Sequence, residues 1–201
     1  MLQIFVHLYL KIFLLLTPFF VLSVFLSMTA GMGKNERRKI AGKVTIAVLV
    51  ASFVLFFFGH YIFLVFGITI DAFRIGAGAI LFLSAVTLVR GPAPGTPPPV
   101  NEGDFSVVPL AIPITVGPGT IGALLVMGTG YETVAEKITA CMSLTAAAFS
   151  VGALLWSAGG VERILGRLGL SILTKLTGLF VASIAAQIIF TGIRNFLGPL
   201  P

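Results

Sequence analysis

The chain has 201 residues, of which 57% are hydrophobic and 10% charged. A water-soluble domain carries about 25% charged residues, so this composition excludes a soluble enzyme or binding module and indicates an integral membrane protein. The net charge of +6 is no nucleic-acid footprint, because the cations sit in short stretches between apolar runs, where membrane topology accounts for them.

A membrane-crossing helix needs about 20 mostly apolar residues. Six such runs follow one another, at 4–30, 43–66, 71–90, 106–129, 138–159 and 169–194. The first has no basic leading segment and no small-x-small cleavage site, so it reads as a retained span and not a signal peptide. It carries His7 and Lys11 four apart, and Thr17-Pro18 interrupts it. The long stem of Lys11 is expected to carry its ammonium to the interface. The stretch that follows is predicted to be a loop holding Lys34, Arg37, Arg38, Lys39 and Lys43. The second span has His60 near its end, an interfacial position, and small packing residues at Ala47 and Ala51.

The third span opens with Asp71 and Arg74, three apart on one helical face. An acidic residue at a helix start is ordinary capping. If the helix begins earlier, the pair becomes a coupling or gating candidate, because charges at membrane depth are costly and usually paired. Residues 91–104, GPAPGTPPPVNEGD, contain five prolines and read as an extended linker. They divide a first three-helix unit, 1–90, from a second, 105–201.

The fourth span carries the most information. Residues 107–128 read VVPLAIPITVGPGTIGALLVMG, with no charge, three prolines and four glycines. Irregular backbone at membrane depth is tolerated only where it is buried in protein or lines a cavity. The break at Gly117-Pro118-Gly119 therefore predicts an internal site, as broken helices do in secondary transporters. Proline suits the first turn of a helix, and the free amides after it can hold a carboxylate. Thr115 and Thr120 offer hydroxyls to an ammonium or an ion, and Pro109 and Pro113 are expected to shape a short half-helix.

The fifth span contains Cys141, the sole cysteine, read as a small packing residue. In the sixth, Gln187 lies deep in an apolar run and is expected to bond internally, as interhelical glue or as a cavity-lining group. Thr174, Gly178, Ala182 and Ala186 recur every four positions, a stripe that lets helices approach closely.

Nine of the 13 Lys and Arg residues fall on one side of this topology and four on the other. The richer side is predicted to be cytoplasmic, with both termini outside. Thr17-Pro18 and Gly117-Pro118 lie 100 residues apart, and Gly67 and Gly76 match Gly169 and Gly178 at 102. Three spans per unit is an odd number, so the second unit enters the membrane inverted, an arrangement common in secondary transporters. The expected fold is all-α, six spans in two inverted repeats with spans one and four broken.

FGITIDAFRIGAGAILFL at 66–83 followed by VVPLAIPITVGPGTI at 107–121 resembles the MarC family of inner-membrane proteins, which includes SnatA-type transporters of small neutral amino acids. The resemblance covers the whole chain. It implies a six-span inverted-repeat carrier with glycine, alanine or threonine-like cargo. One departure stands out: SnatA-like relatives have Asn/Asp-Pro-x-Gly in the first span, where this chain has Thr17-Pro18-Phe19-Phe20. Phe20 occupies the place of a glycine that would let backbone approach a ligand.

The expected substrate-binding set is Thr17, Pro18, Thr115, Gly117, Pro118, Gly119 and Thr120, with Asp71, Arg74 and Gln187 as coupling or gating candidates. Driving by sodium, by protons or by exchange alone stays open; no other cofactor is expected. The alternative is an exporter or channel-type protein for other small solutes, or a non-transporting membrane protein. A channel calls for a polar stripe along a pore, which these Phe-, Leu-, Val- and Ala-rich helices lack. Enzymes of the membrane interior need acid–base groups or metal pairs absent from this sequence. The expected partners are a small neutral amino acid, the bilayer and, in a homo-oligomer, further copies of the chain, with no nucleic acid. Gly119→Leu is expected to abolish uptake while leaving expression intact.

Overall fold

The computed structural model describes residues 2–91, 106–131 and 133–197. Among them every regular element is helical. Five stretches are long and apolar enough to cross a bilayer: Leu2–Met28, Lys34–Gly59, Ile70–Arg90, Val134–Trp156 and Ala158–Leu197. The sixth expected run is divided into two pieces, neither long enough alone. The linker predicted at 91–104 lies outside the described residues apart from Gly91.

The first run is α1 (Leu2–Leu15) and α2 (Pro18–Met28), parted at Leu16-Thr17. Next comes α3 (Lys34–Phe66), which starts nine residues before the predicted span. Lys, Glu and Arg are good helix formers, so the cationic stretch 34–43 is helix and not loop. Helix α4 (Ile70–Arg90) is capped by Thr69, whose Oγ1 accepts from the Ala72 amide at 3.3 Å. The cap is thus Thr69, one residue outside the helix, and Asp71 is free for another partner.

A π-helix (Ser106–Thr115) leads into α5 (Pro118–Thr129). Two prolines without amide donors spoil the ordinary i→i−4 ladder, and the wider turn relieves it: the Val116 amide donates to Ala111 O, five residues back, at 2.9 Å. Helix α6 (Val134–Trp156) starts four residues before the prediction, at a capping box of Thr133 and Glu136 that satisfies two amides reciprocally. Helix α7 (Ala158–Leu197) bends at Gly166, where φ is 63°. Residues 160–168, expected as loop, belong to its first turns.

Glycines set the packing. On the α4–α7 crossing, Gly178 lies against Ala85 and Leu88, Gly78 against Ala185 and Ile189, and Gly192 against Asp71 and Arg74. These matches run in opposite chain directions, so the two helices are antiparallel and close. Small residues at such crossings bring backbones together where lipid gives no hydrophobic drive. Gly178, from the small-residue stripe, does what the stripe predicts.

Helices α1 and α6 run parallel, joined by Ser143 Oγ to Phe5 O at 3.1 Å and Tyr9 OH to Ser150 Oγ at 3.0 Å. Helices α3 and α6 meet where Gly152 faces Thr45 and where the Arg38 guanidinium lies 5.1 Å over the Trp156 ring. Leu15, Leu16, Leu110, Leu124 and Leu144 are fully buried. The core therefore surrounds the two breaks.

Candidate functional site at two helix breaks

Most of each interruption lies inside the protein. Leu15, Leu16, Pro18, Thr115, Val116, Gly119 and Thr120 are all buried, Thr17 and Gly117 are half-buried, and Pro118 is exposed. In the first break Thr17 adopts the left-handed conformation (φ 45°, ψ 56°), one that β-branched residues rarely take. The turn before it tightens, with the Thr17 amide donating to Leu14 O at 3.0 Å. In the second break Gly117 is extended (φ −77°, ψ 170°).

Pro18 and Pro118 each open a new helix, where a missing amide hydrogen costs nothing. The first amides beyond them to reach a main-chain carbonyl are Val21, donating to Thr17 O at 3.0 Å, and Ile121, donating to Gly117 O at 2.8 Å. Phe19, Phe20, Gly119 and Thr120 supply the donors that a helix start leaves unused. Their partial positive charge favours an anion.

The two breaks touch. Thr120 Oγ1 donates to the Leu15 carbonyl at 2.9 Å, a buried bond between residues 105 apart in sequence. Leu15 O is one of the carbonyls orphaned at the end of α1, and a side chain from the other broken run satisfies it. Thr115 Oγ1 donates within its own π-helix, to Leu110 O at 2.7 Å. Both hydroxyls keep acceptor capacity. Among the described residues the Thr17 hydroxyl has no partner.

Gly119 faces helix α4: a Cβ there would lie 2.6 Å from Leu81 Cα. Gly122 lies against Ala77, Gly128 against the Phe56 main chain, and Leu125 against Gly59. Helix α5 is thus wedged between α3 and α4. The expectation that Gly119→Leu spares expression needs correction, because a leucine would be driven into the α4 backbone.

Asp71 and Arg74 pair at 2.6 Å, both partly exposed, and Asn195 Nδ2 donates to Asp71 Oδ1 at 3.2 Å. This cluster ties the start of α4 to the end of α7. Lys11 is half-buried, one turn before the break, and close enough to Arg74 for the two cations to repel. Arg74 is itself partly exposed near the start of α4, so a half-buried stem is compatible with an ammonium near the interface. Gln187 departs from its expectation. It is exposed on the outside of α7, and its amide has no partner among the described residues. His7 Nδ1 lies 3.2 Å from Gln3 O, and the His60 side chain is outside the described set.

Two further groups lie away from the breaks. Cys141 lines an apolar groove of about 650 Å³ with Phe5, Phe57, Ile138 and Met142, the kind of surface acyl chains cover. Tyr131, in the α5–α6 connection, is pushed up to about 12 by burial and by the Glu136 carboxylate, so its phenol stays neutral. Among the described residues no cluster of three metal-ligating side chains occurs.

Two broken apolar helices joined at their proline-opened starts by a buried hydrogen bond accompany a decisive match. The model of the MarC family integral membrane proteins fits residues 2–197. The chain belongs to the MarC family. It is 33% identical over 202 residues to the UPF0056 membrane protein MJ1677 of Methanocaldococcus jannaschii, covering 98% of each chain. It is 30% identical to a UPF0056 membrane protein of Aquifex aeolicus, covering 96% and 94% of the two. With the UPF0056 membrane protein YhcE of Escherichia coli it shares 27% identity, covering 93% and 90%. No solved structure matches. As a MarC protein the chain is an integral membrane protein.

Proposed function

We propose that this MarC protein is a secondary transporter of small neutral amino acids in the inner membrane, working by alternating access with both termini outside. The observation that carries the reading is the buried Thr120–Leu15 bond. It joins the second break to the first, which supports a common site for the two sets of unused helix-start donors, where a carboxylate would be favoured. Thr17, Pro18, Thr115, Gly117, Pro118, Gly119 and Thr120 are the proposed binding set, and Lys11, one turn before the first break, adds positive charge. Sodium, protons or exchange would drive the cycle, with Asp71 and Arg74 as the gating pair.

An inverted-repeat architecture is part of this proposal. Exchanging α1, α2, α3 and α4 with the π-helix, α5, α6 and α7 converts the observed contacts of α1 with α6 into those of the π-helix with α3. The contacts of α2 with α7 become those of α5 with α4, and the α4–α7 and α3–α6 pairs map onto themselves. Repeats related in this way hold cargo at their junction.

The test is counterflow in proteoliposomes. Alanine preloaded inside should drive saturable uptake of labelled alanine, with glycine and threonine competing and leucine not. Thr17→Val should lower apparent affinity roughly tenfold, the worth of one lost hydrogen bond. Non-saturable flux would replace the carrier with a channel-type protein, and absence of flux for every small neutral amino acid would refute the substrate class.

A further inference from the structure

The face of α7 that packs on α4 is made by Gly178, Val181, Ala185, Ile188 and Gly192, all buried. On the opposite side stand Leu176, Phe180, Ser183, Gln187, Phe190 and Arg194, every one exposed. Their spacings alternate four and three, the repeat of a left-handed coiled-coil seam. Gln187 lies near the middle of the span, because Gly78, in the centre of α4, abuts Ala185 and Ile189.

Polar groups along this seam are settled locally, with one exception. Ser183 Oγ donates to Leu179 O at 3.1 Å, and Thr191 Oγ1 donates to Gln187 O at 2.7 Å. The Gln187 side-chain amide, two donors and an acceptor, has no partner among the described residues. Acyl chains offer none, and an unpaired amide in hydrocarbon is expensive. The occupant of this face must supply both a donor and an acceptor at mid-depth.

We propose that the occupant is a second copy of this chain, in a parallel dimer whose two α7 helices cross at Gln187. All copies insert with one orientation, so a two-fold axis along the membrane normal sets Gln187 against Gln187 at equal depth. The amide is self-complementary, each side chain donating to the other. A single polar residue in such a seam fixes register and partner number. Phe180 and Phe190 fill the space on either side of the amide pair. Arg194, at the end of the seam, extends its guanidinium to the headgroups and avoids its copy.

The experiment uses the purified full chain in liposomes, so no other protein can occupy the face. In a Cys141→Ala background, single cysteines replace Ser183, Gln187 and Phe190 on the seam, and Ile184 and Ala186 on its flanks. Oxidation should give disulfide dimers on the seam, strongest at position 187, and none on the flanks. By single-molecule photobleaching in dilute bilayers, Gln187→Leu should weaken dimerisation about tenfold, whereas Gln187→Asn should keep it. Three results would overturn the proposal: equal cross-linking at all five positions, an unchanged dimer fraction for Gln187→Leu, or labelling of Gln187→Cys by a membrane-impermeant thiol reagent.

Discussion

The two breaks look alike in sequence and are built differently. At the first, a threonine is forced into the left-handed region and two phenylalanines follow the proline. At the second, a glycine rests in ordinary extended backbone after a widened π-turn, and a glycine and a threonine follow. Position 120 sends a hydroxyl to the first break; Phe20, 100 residues earlier, has nothing to send back. The second half thus supplies the polar contact that joins the pair, and the first half supplies a strained turn and an orphan carbonyl. Positions 100 residues apart in the two breaks contribute different things.

That asymmetry can be broken at its most crowded point. Gly119→Leu places a side chain against the Leu81 backbone and should destabilise by more than ~3 kcal/mol, as severe overpacking does. Phe19→Leu, the matching change in the first break, should cost under ~1.5 kcal/mol because the site is only half-buried. Folded yield and thermal midpoint in detergent measure both, and equal losses would remove the contrast.

Removing the joint itself comes next. Thr120→Val leaves the Leu15 carbonyl buried without its donor and should cost about 1–3 kcal/mol, while Thr120→Ser restores most of it. Unfolding midpoints of the three proteins decide this, and no difference between Val and Ser would show that the bond is energetically idle.

The smallest effect has the opposite sign. Thr17→Gly should stabilise by roughly 0.5–1 kcal/mol, since the left-handed strain it relieves exceeds the entropy cost of glycine. A lowered midpoint would mean that the Thr17 methyl packing outweighs backbone strain.

The breaks were legible because proline and glycine act locally: Pro18 and Pro118 start helices wherever the chain goes. Six apolar runs and their order were equally plain. What joins the breaks was not, since the Thr120 acceptor lies 105 residues away and no pattern in one strand of sequence encodes such a pairing. The start of α3 was misplaced because Lys and Arg near a membrane read as loop, although they propagate helix well. Gln187 was placed inside because hydrophobicity all round a helix hides which side is packed; only the glycines on the α4 side reveal it.

The guanidinium of Arg38 resting on Trp156, with Gly152 fitted to Thr45 nearby, fastens the long helix α3 to α6 at two heights. Such a brace resists sliding of one rod along the other. A rearrangement of the broken helices would then have to occur within that stiff frame.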